Sequence, residues 1–426
     1  MTDYSQTDIY TDISLVDDPW PYFEYLRERG PITPLPHRNV LAVTGFEEAL
    51  AIYADPTSFS SVNSVTGPIP DLPFAAEGDD IRGQIADHRS QIPFGMEVSG
   101  LDAPLHAPMR SLLMPLFTPG RLKAMDAGFR HVAEGLIAQF PASGKVEFIR
   151  DYANPLATLI ITELLGIPRQ DRPIFRKYFA QGTAAEVGAS ADVIATNPLI
   201  EMGMRIAGYI AARRAEPQDD LLTQLALARF PDGSEPSLEQ AARVASFLFG
   251  AGQDTTVKLL GNAFRLLCER QDLQGELRAD STHIPNFVEE MLRYEGSIRA
   301  SHRLCQRTTE VCGYTIEAGT TVWIANLAVN RDPRRFVDPS TFDMDRPRLK
   351  EHLAFGRGSH TCAGAPLARA ETRLSLELLL RRFADIRIDD RHHGAEGSRE
   401  FRYENSYVLR GLSELHLIFG ESARSV

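Results

Sequence analysis

One cysteine stands where its type and spacing could do chemistry: Cys362, in "FGRGSHTCAGAPLARAE" from Phe355 to Glu371. Gly356, Gly358 and Gly364 around it permit tight turns and the close approach of a flat ligand. The run behind it reads as a helix starting near Ala363, so the sulfur lies at a helix N-terminus. There the dipole and free N–H groups favour thiolate over thiol. A thiolate so placed is either a nucleophile or a metal ligand. A nucleophile wants a general base, and the local candidate, His360, sits at an awkward i,i+2 spacing. A metal ligand without neighbouring Cys or His needs a cofactor that brings the other coordination positions, as a haem does. An inert cysteine would not need so many glycines.

Further reactive types lie at suggestive spacings. "FLFGAGQDTT" places Asp254 and Thr255 beside two glycines, a carboxyl and a hydroxyl that could relay protons. The other reading is a packing notch with Asp254 turned to solvent. Thr255 is spaced to bond back to the carbonyl of Ala251, which loosens a helix locally. His106 and Arg110 fall one helical turn apart and could grip a carboxylate, or be a solvated helix end. Arg299 and Arg303 share a side if "SIRASHR" is extended, and buried arginines need anions. Glu290 and Arg293 have i,i+3 spacing, commonly mere surface decoration, with Arg346 downstream as a third partner.

The elements that must position these groups are mostly helical. "SLEQAARVASFLFGAGQDTTVKLLGNAFRLLCER" opens on Ser237 and Gln240 at capping-box spacing and runs without proline to about Arg270. Glycines in its middle cost about 1 kcal/mol each against alanine, which marks a place where something approaches the backbone. "DPWPYFEYLRERGPI" reads as a helix closed at Gly30, and "NVLAVTGFEEALAIY" as a strand and a helix. From Ser61 to Gly100 the pattern dissolves, as in a lid or binding loop. Helices resume from Leu105 to about Phe230, broken at "PASGKVEF" and "TNPL". Cys312 to Asn330 predicts a hairpin turning at Glu317-Ala318-Gly319, and "SYVLRGLSELHLIF" a further pair of strands.

The chain of 426 residues is 43% hydrophobic and carries a net charge of -12. That charge argues against nonspecific binding to nucleic acid or anionic membrane. The polar, acidic start lacks the features of a signal peptide, and no apolar run approaches a membrane span. Four cysteines without CxxC spacing fit reduced thiols in a cytoplasm.

"FGRGSHTCAG" resembles the cysteine loop of cytochromes P450, Phe-Gly-x-Gly-x-His-x-Cys-x-Gly, at every fixed position. The other signals follow in the family's chain order. "AGQDTT" resembles its oxygen-activating helix segment and "EMLR" its Glu-x-x-Arg motif. "FDMDR" resembles the meander that supplies an arginine, and "HAPMR" the pair that holds a haem propionate. The resemblance spans essentially the whole chain.

It implies one P450 domain over residues 1–426, mainly α with small β-sheets, whose long central helix crosses haem b. Cys362 would be the axial thiolate on iron, favouring O–O cleavage, with Asp254 and Thr255 conveying the protons. His106, Arg110, Arg303 and His360 would bind the propionates. Phe355 and Gly356 would pack near the sulfur and Ala251 against the haem from the long helix. Glu290, Arg293 and Arg346 would be structural.

The implied reaction inserts one oxygen atom from O2 into a small hydrophobic substrate such as a terpenoid, steroid or aromatic. Electrons would come from a ferredoxin and its reductase, docked with help from Arg357 and Arg369. The alternatives are a peroxide-dependent haem-thiolate enzyme and a non-catalytic haem-thiolate sensor. Pocket walls are expected from Ser61–Gly100, Met202–Ile210, Phe247–Ala251, Ile298–Ser301 and Ser406-Tyr407. Arg299 would read a substrate carboxylate or join Arg303 on a propionate.

Overall fold

The capping box forms at the start of the long helix. Ser237 Oγ accepts from the Gln240 N–H at 3.1 Å, and Gln240 Oε1 accepts from the Ser237 N–H at 2.8 Å. In the computed structural model, which describes residues 3–178, 185–195 and 199–420, this helix runs over Leu238–Glu269, 32 residues. At 1.5 Å per residue it is about 48 Å long, the width of a domain. It packs against helices Asn154–Leu165, Leu199–Ala215, Ile284–Glu295 and Ala365–Arg382. Ala245, Phe249, Leu260 and Leu267, spaced to share its inner side, are buried in the main apolar core.

Strands are few and short. The larger sheet contains β1 (Ile32–Pro34), β2 (Val40–Val43) and β3 (Phe59–Ser60), all from the N-terminal part of the chain. A second sheet draws β4 (Lys145–Glu147) from between helices. Late strands are β5 (Ser301–Cys305), β6 (Thr309–Val311), β7 (Tyr314–Ile316), β8 (Thr321–Ile324), β9 (Ile386–Ile388) and β10 (His416–Phe419). The first sheet has the order β1-β2-β8-β5-β3, with β2 and β8 parallel, and the second the order β4-β10-β9. Helix Trp20–Arg29 ends at Gly30, and β2 leads into helix Phe46–Ala54, as the sequence predicts.

Two strand expectations are corrected. The hairpin turns at Cys312-Gly313, both at positive φ, so that β6 pairs with β7 and Val311 faces Tyr314. Two residues with φ above zero make the tight turn that matches strand twist. The chain past Glu317–Gly319 instead carries β8, buried at every position, to the centre of the larger sheet. Asn326–Val329 is a helical turn. Between Ser406 and Phe419, among the described residues, only β10 is a strand. Leu409 and Leu412 make isolated bridges to Ile298 and Tyr403.

Residues 61–100 are more built than their composition suggests. They hold helix Arg82–His88, and Val62, Ile81, Ile85 and Ile92 form a small core with Leu304. Arg89, ion-paired to Asp102 at 2.5 Å, donates to the Gly95 carbonyl at 3.2 Å and ties the segment down. The break at "PASGKVEF" becomes β4, whereas that at "TNPL" falls on residues 196–198, outside the described residues.

Candidate active site

The cysteine loop is shaped by backbone geometry that only glycine adopts freely. Gly356 and Gly358 sit at φ 64° and 72°, and a Cβ on Gly358 would lie 2.3 Å from the Tyr53 carbonyl oxygen. The Cys362 N–H donates to the Phe355 carbonyl at 2.9 Å, closing the loop. Gly364 caps helix Ala365–Arg382, two residues past the sulfur. Cys362 is exposed only in the sense that it faces a cavity of about 480 Å³, which it helps to line. Burial pushes its thiol pKa up. The N–H groups of Gly364 and Ala365 and the charges of Arg110 and Arg369 pull the other way without winning. The helix start alone therefore does not make the thiolate, and a facing cation is needed to complete that task.

Four basic groups gather beside the cysteine. The rings of His106 and His360 stack at 3.9 Å, and Arg110, Arg303 and His360 line the cavity. Arg110 donates to the Thr361 carbonyl, and Arg303 to the His302 carbonyl at 2.7 Å. Neither arginine has a carboxylate within ion-pair distance among the described residues. Burial lowers the pKa of His106. Burial, with Arg303, His106 and Arg110 nearby, pushes His360 down to about 2. The buried Nε2 of His106 has no hydrogen-bond partner. Two cations without counter-ions and an orphaned imidazole nitrogen, on one wall with a cysteine sulfur, suit a ligand carrying carboxylates and a metal.

The centre of the long helix reaches the same cavity through Gly250, Ala251, Gly252, Asp254 and Thr255. Thr255 Oγ1 donates to the Ala251 carbonyl at 2.7 Å, the local back-bond its spacing predicts. Asp254 is only about a quarter exposed and not turned fully to solvent. It lines the cavity and is ion-paired with Lys258 one turn on, and Lys258 also meets Glu404 at 2.7 Å. The i,i+4 spacing of Asp254 and Lys258 was a readable signal, while nothing in the sequence pointed to Glu404.

Glu290 and Arg293 are fully buried and paired at 2.7 Å, and Arg346 joins Glu290 at 3.1 Å. The surface-decoration reading is thereby excluded. Arg299 neither lines the cavity nor joins Arg303. It is buried with Nε and Nη2 unpartnered, its pKa pushed down to about 9 by burial and by Arg410. Arg369 is no free docking cation either, because it clamps Glu289 at 2.5 Å and lies over the Phe355 ring at 4.6 Å. Arg357 is exposed.

The expected walls are met by Ser64, Val65, Phe94, Val98 and Ser99, by Phe247 to Ala251 in part, and by Ile298, Ala300 and Ser301. Met202 is on the wall, whereas Ile206 and Ile210 belong to the core. Val408 and Leu409 line the cavity in place of Ser406 and Tyr407, since the Tyr407 hydroxyl is turned to the Thr66 carbonyl at 2.8 Å.

A family model described as Cytochrome P450 matches residues 206–390. The cytochrome P450 monooxygenase PikC of Streptomyces venezuelae is 32% identical over 382 residues, 87% of this chain and 85% of that protein. The 6-deoxyerythronolide B hydroxylase of Saccharopolyspora erythraea is 31% identical over 415 residues, 96% of this chain and 97% of that protein. Among solved structures, substrate-free cytochrome P450 CYP150A6 of Mycobacterium marinum superposes with a TM-score of 0.91. It is 45% identical, covering 99% of this chain and 100% of that one. Likeness of this depth, along nearly the whole sequence and through the whole fold, means that the chain belongs to the cytochrome P450 family, enzymes that bind haem b.

Proposed function

We propose that residues 1–426 act as one catalytic domain that inserts an oxygen atom from O2 into a compact hydrophobic molecule, a terpenoid, steroid or aromatic. The observation that carries this reading is a single cavity that joins Cys362, the basic cradle and Asp254-Thr255. Its remaining wall is largely apolar, from Val65, Phe94, Val98, Phe247, Leu248, Ile298 and Val408. The net change is RH + O2 + 2e⁻ + 2H⁺ to ROH + H2O, so the chain must bring in two protons and exclude bulk water. Two electrons enter from a separate ferredoxin and its reductase.

Haem b, when bound, supplies the iron at which dioxygen is reduced and split. Cys362 would hold that iron through its sulfur. Arg110, Arg303, His106 and His360 would hold the propionates, which supply the negative charge this wall lacks. Phe355 and Gly356, beside the sulfur, and Ala251, on the long helix, line the cavity and would hold the group from those two walls. Thr255 would present its hydroxyl to the cavity, accepting a proton from Asp254 and passing one on. Glu97, ion-paired to Arg243 at 3.5 Å, is a second acidic group on the cavity wall besides Asp254.

A screen of hydrophobic compounds for substrate-induced spectral shifts, followed by NADH consumption with ferredoxin and reductase, tests the reading. Hydroxylated product in proportion to NADH supports it. Turnover by peroxide alone with none from NADH, or spectral binding without any turnover, overturns it.

A further inference from the structure

The one buried lysine on the long helix is built into the site more thoroughly than a chance ion pair. Lys258 is fully enclosed, its ammonium hydrogen-bonded to Asp254 on one side and ion-paired with Glu404 at 2.7 Å on the other. Asp254 lines the cavity, whereas Glu404 is not on its wall, and both carboxylates are partly exposed at 26% and 31%. The enclosure is shaped for this lysine. A Cβ on Gly411 would lie 2.1 Å from Lys258 Cγ, so only glycine leaves room for the stem. The loop that carries Gly411 also presents Glu404, whose N–H donates to the Gly411 carbonyl at 2.9 Å.

We propose that Glu404 is a stand-by counter-ion for Lys258, which lets Asp254 leave its ion pair and carry protons to the cavity. The proposal rests on Asp254 and Thr255 being the proton relay. Lys258 and Glu404 act through Asp254 and are positioning residues. A buried ammonium with one carboxylate would hold it tightly, because breaking the pair leaves an uncompensated charge. With two carboxylates, one can turn away while the other keeps the ammonium paired. Asp254 then takes a proton from solvent on its exposed side, turns to the cavity, gives that proton to the Thr255 hydroxyl system and returns as carboxylate. One proton enters and none is left on Lys258. Burial works against the Lys258 charge, but Asp254 and Glu404 outweigh it and hold the ammonium above the ordinary lysine value. These two carboxylates are the charged groups that face Lys258 from its own helix and from the loop packed on it.

The test has a stability arm and a turnover arm, both on the haem-loaded enzyme. In thermal unfolding, Asp254→Asn and Glu404→Gln are each expected to lower the midpoint by only about 1 °C, since one carboxylate still pairs the lysine. The double variant is expected to lose about 4–5 °C, at least twice the sum of the single losses, because the ammonium is then unpaired. Simple addition of the two single effects overturns the proposal. In turnover, Glu404→Gln locks Asp254 and is expected to slow product formation about tenfold, the factor for breaking a charge-assisted hydrogen bond first. Adding Lys258→Met to Glu404→Gln releases Asp254 and restores most of that loss. A double variant slower than Glu404→Gln alone overturns the stand-by role. If Asp254→Asn leaves product per electron unchanged, the relay itself is wrong. If it lowers that yield while Glu404→Gln does nothing, only the present proposal falls.

Discussion

At the residue scale, Cys362 and the groups around it are incomplete without a partner that supplies positive charge to one and negative charge to the others. Its thiol is held above the usual value by burial, while Arg110 and Arg303 line the same cavity without carboxylate partners. Cys362→Ala is therefore expected to abolish the carbon-monoxide difference band diagnostic of thiolate-bound haem. An unchanged spectrum refutes the ligand assignment. Thr255 donates to Ala251 at 2.7 Å and keeps its oxygen on the cavity wall. Thr255→Ala is expected to leave substrate-induced spectral shifts intact and to divert electrons to peroxide, read as less product per NADH. Unaltered coupling removes Thr255 from the relay. Both residues were legible because their roles depend on neighbours within a few positions. Glu404 was not, since it reaches Lys258 across the fold, from a loop remote in sequence.

At the scale of elements, the cysteine loop is only as firm as the helix behind it. Helix Ile284–Glu295 carries Glu290 and Arg293, both fully buried, and Arg293 also donates to the carbonyls of Asn330, Pro339 and Thr341 at 2.8 to 3.1 Å. Glu290 accepts from Arg346 and from the Asp343 N–H, each at 3.1 Å. One carboxylate thus pins the helix to the segment leading to the cysteine loop. Removing half of a buried pair strands the other charge, at a cost of about 3–5 kcal/mol. Glu290→Gln is expected to lower the unfolding midpoint by that equivalent and to reduce bound haem per chain. Calorimetry together with the haem-to-protein absorbance ratio checks it. The same helix is tied a second way, through Glu289 to Arg369 on helix Ala365–Arg382 that follows the loop, so Arg369 is spent on structure.

At the scale of the whole molecule, remote segments are tied to the central helices by ion pairs that depend on pH. Burial opposes ionisation of Glu295, yet Arg265, Arg410 and Arg331 prevail and hold its carboxyl down at about 2. Arg410 sits at 3.2 Å and also donates to the carbonyls of Val16 and Asp17, so that the N-terminal segment is fastened through it. A depressed carboxyl stabilises the fold fully above its unfolded value of 4.5, and the contribution is lost as pH falls towards the folded value. Wild-type stability is expected to fall between about pH 5 and pH 2, and Glu295→Gln to be weaker at neutral pH with a shallower acid slope. Unfolding midpoints across that range check it, and parallel slopes would contradict it. Among the described residues no helix is long and apolar enough to cross a membrane.

The sequence by itself determined the reacting groups, because their chemistry is encoded locally. A glycine-shaped loop, a capping box, an i,i+3 ion pair and a threonine back-bond each concern residues a turn or two apart, and each took the predicted form. It also determined the fold at family level, since those motifs occur together in order. Tertiary structure decided which side chains meet across the chain. β8 left its expected hairpin because a strand buried at every position belongs in the centre of a sheet. Arg299 turned away from the cavity, and Lys258 found Glu404 beside Gly411. Such pairings depend on packing between segments far apart in the chain, and residue type and spacing carry no record of them.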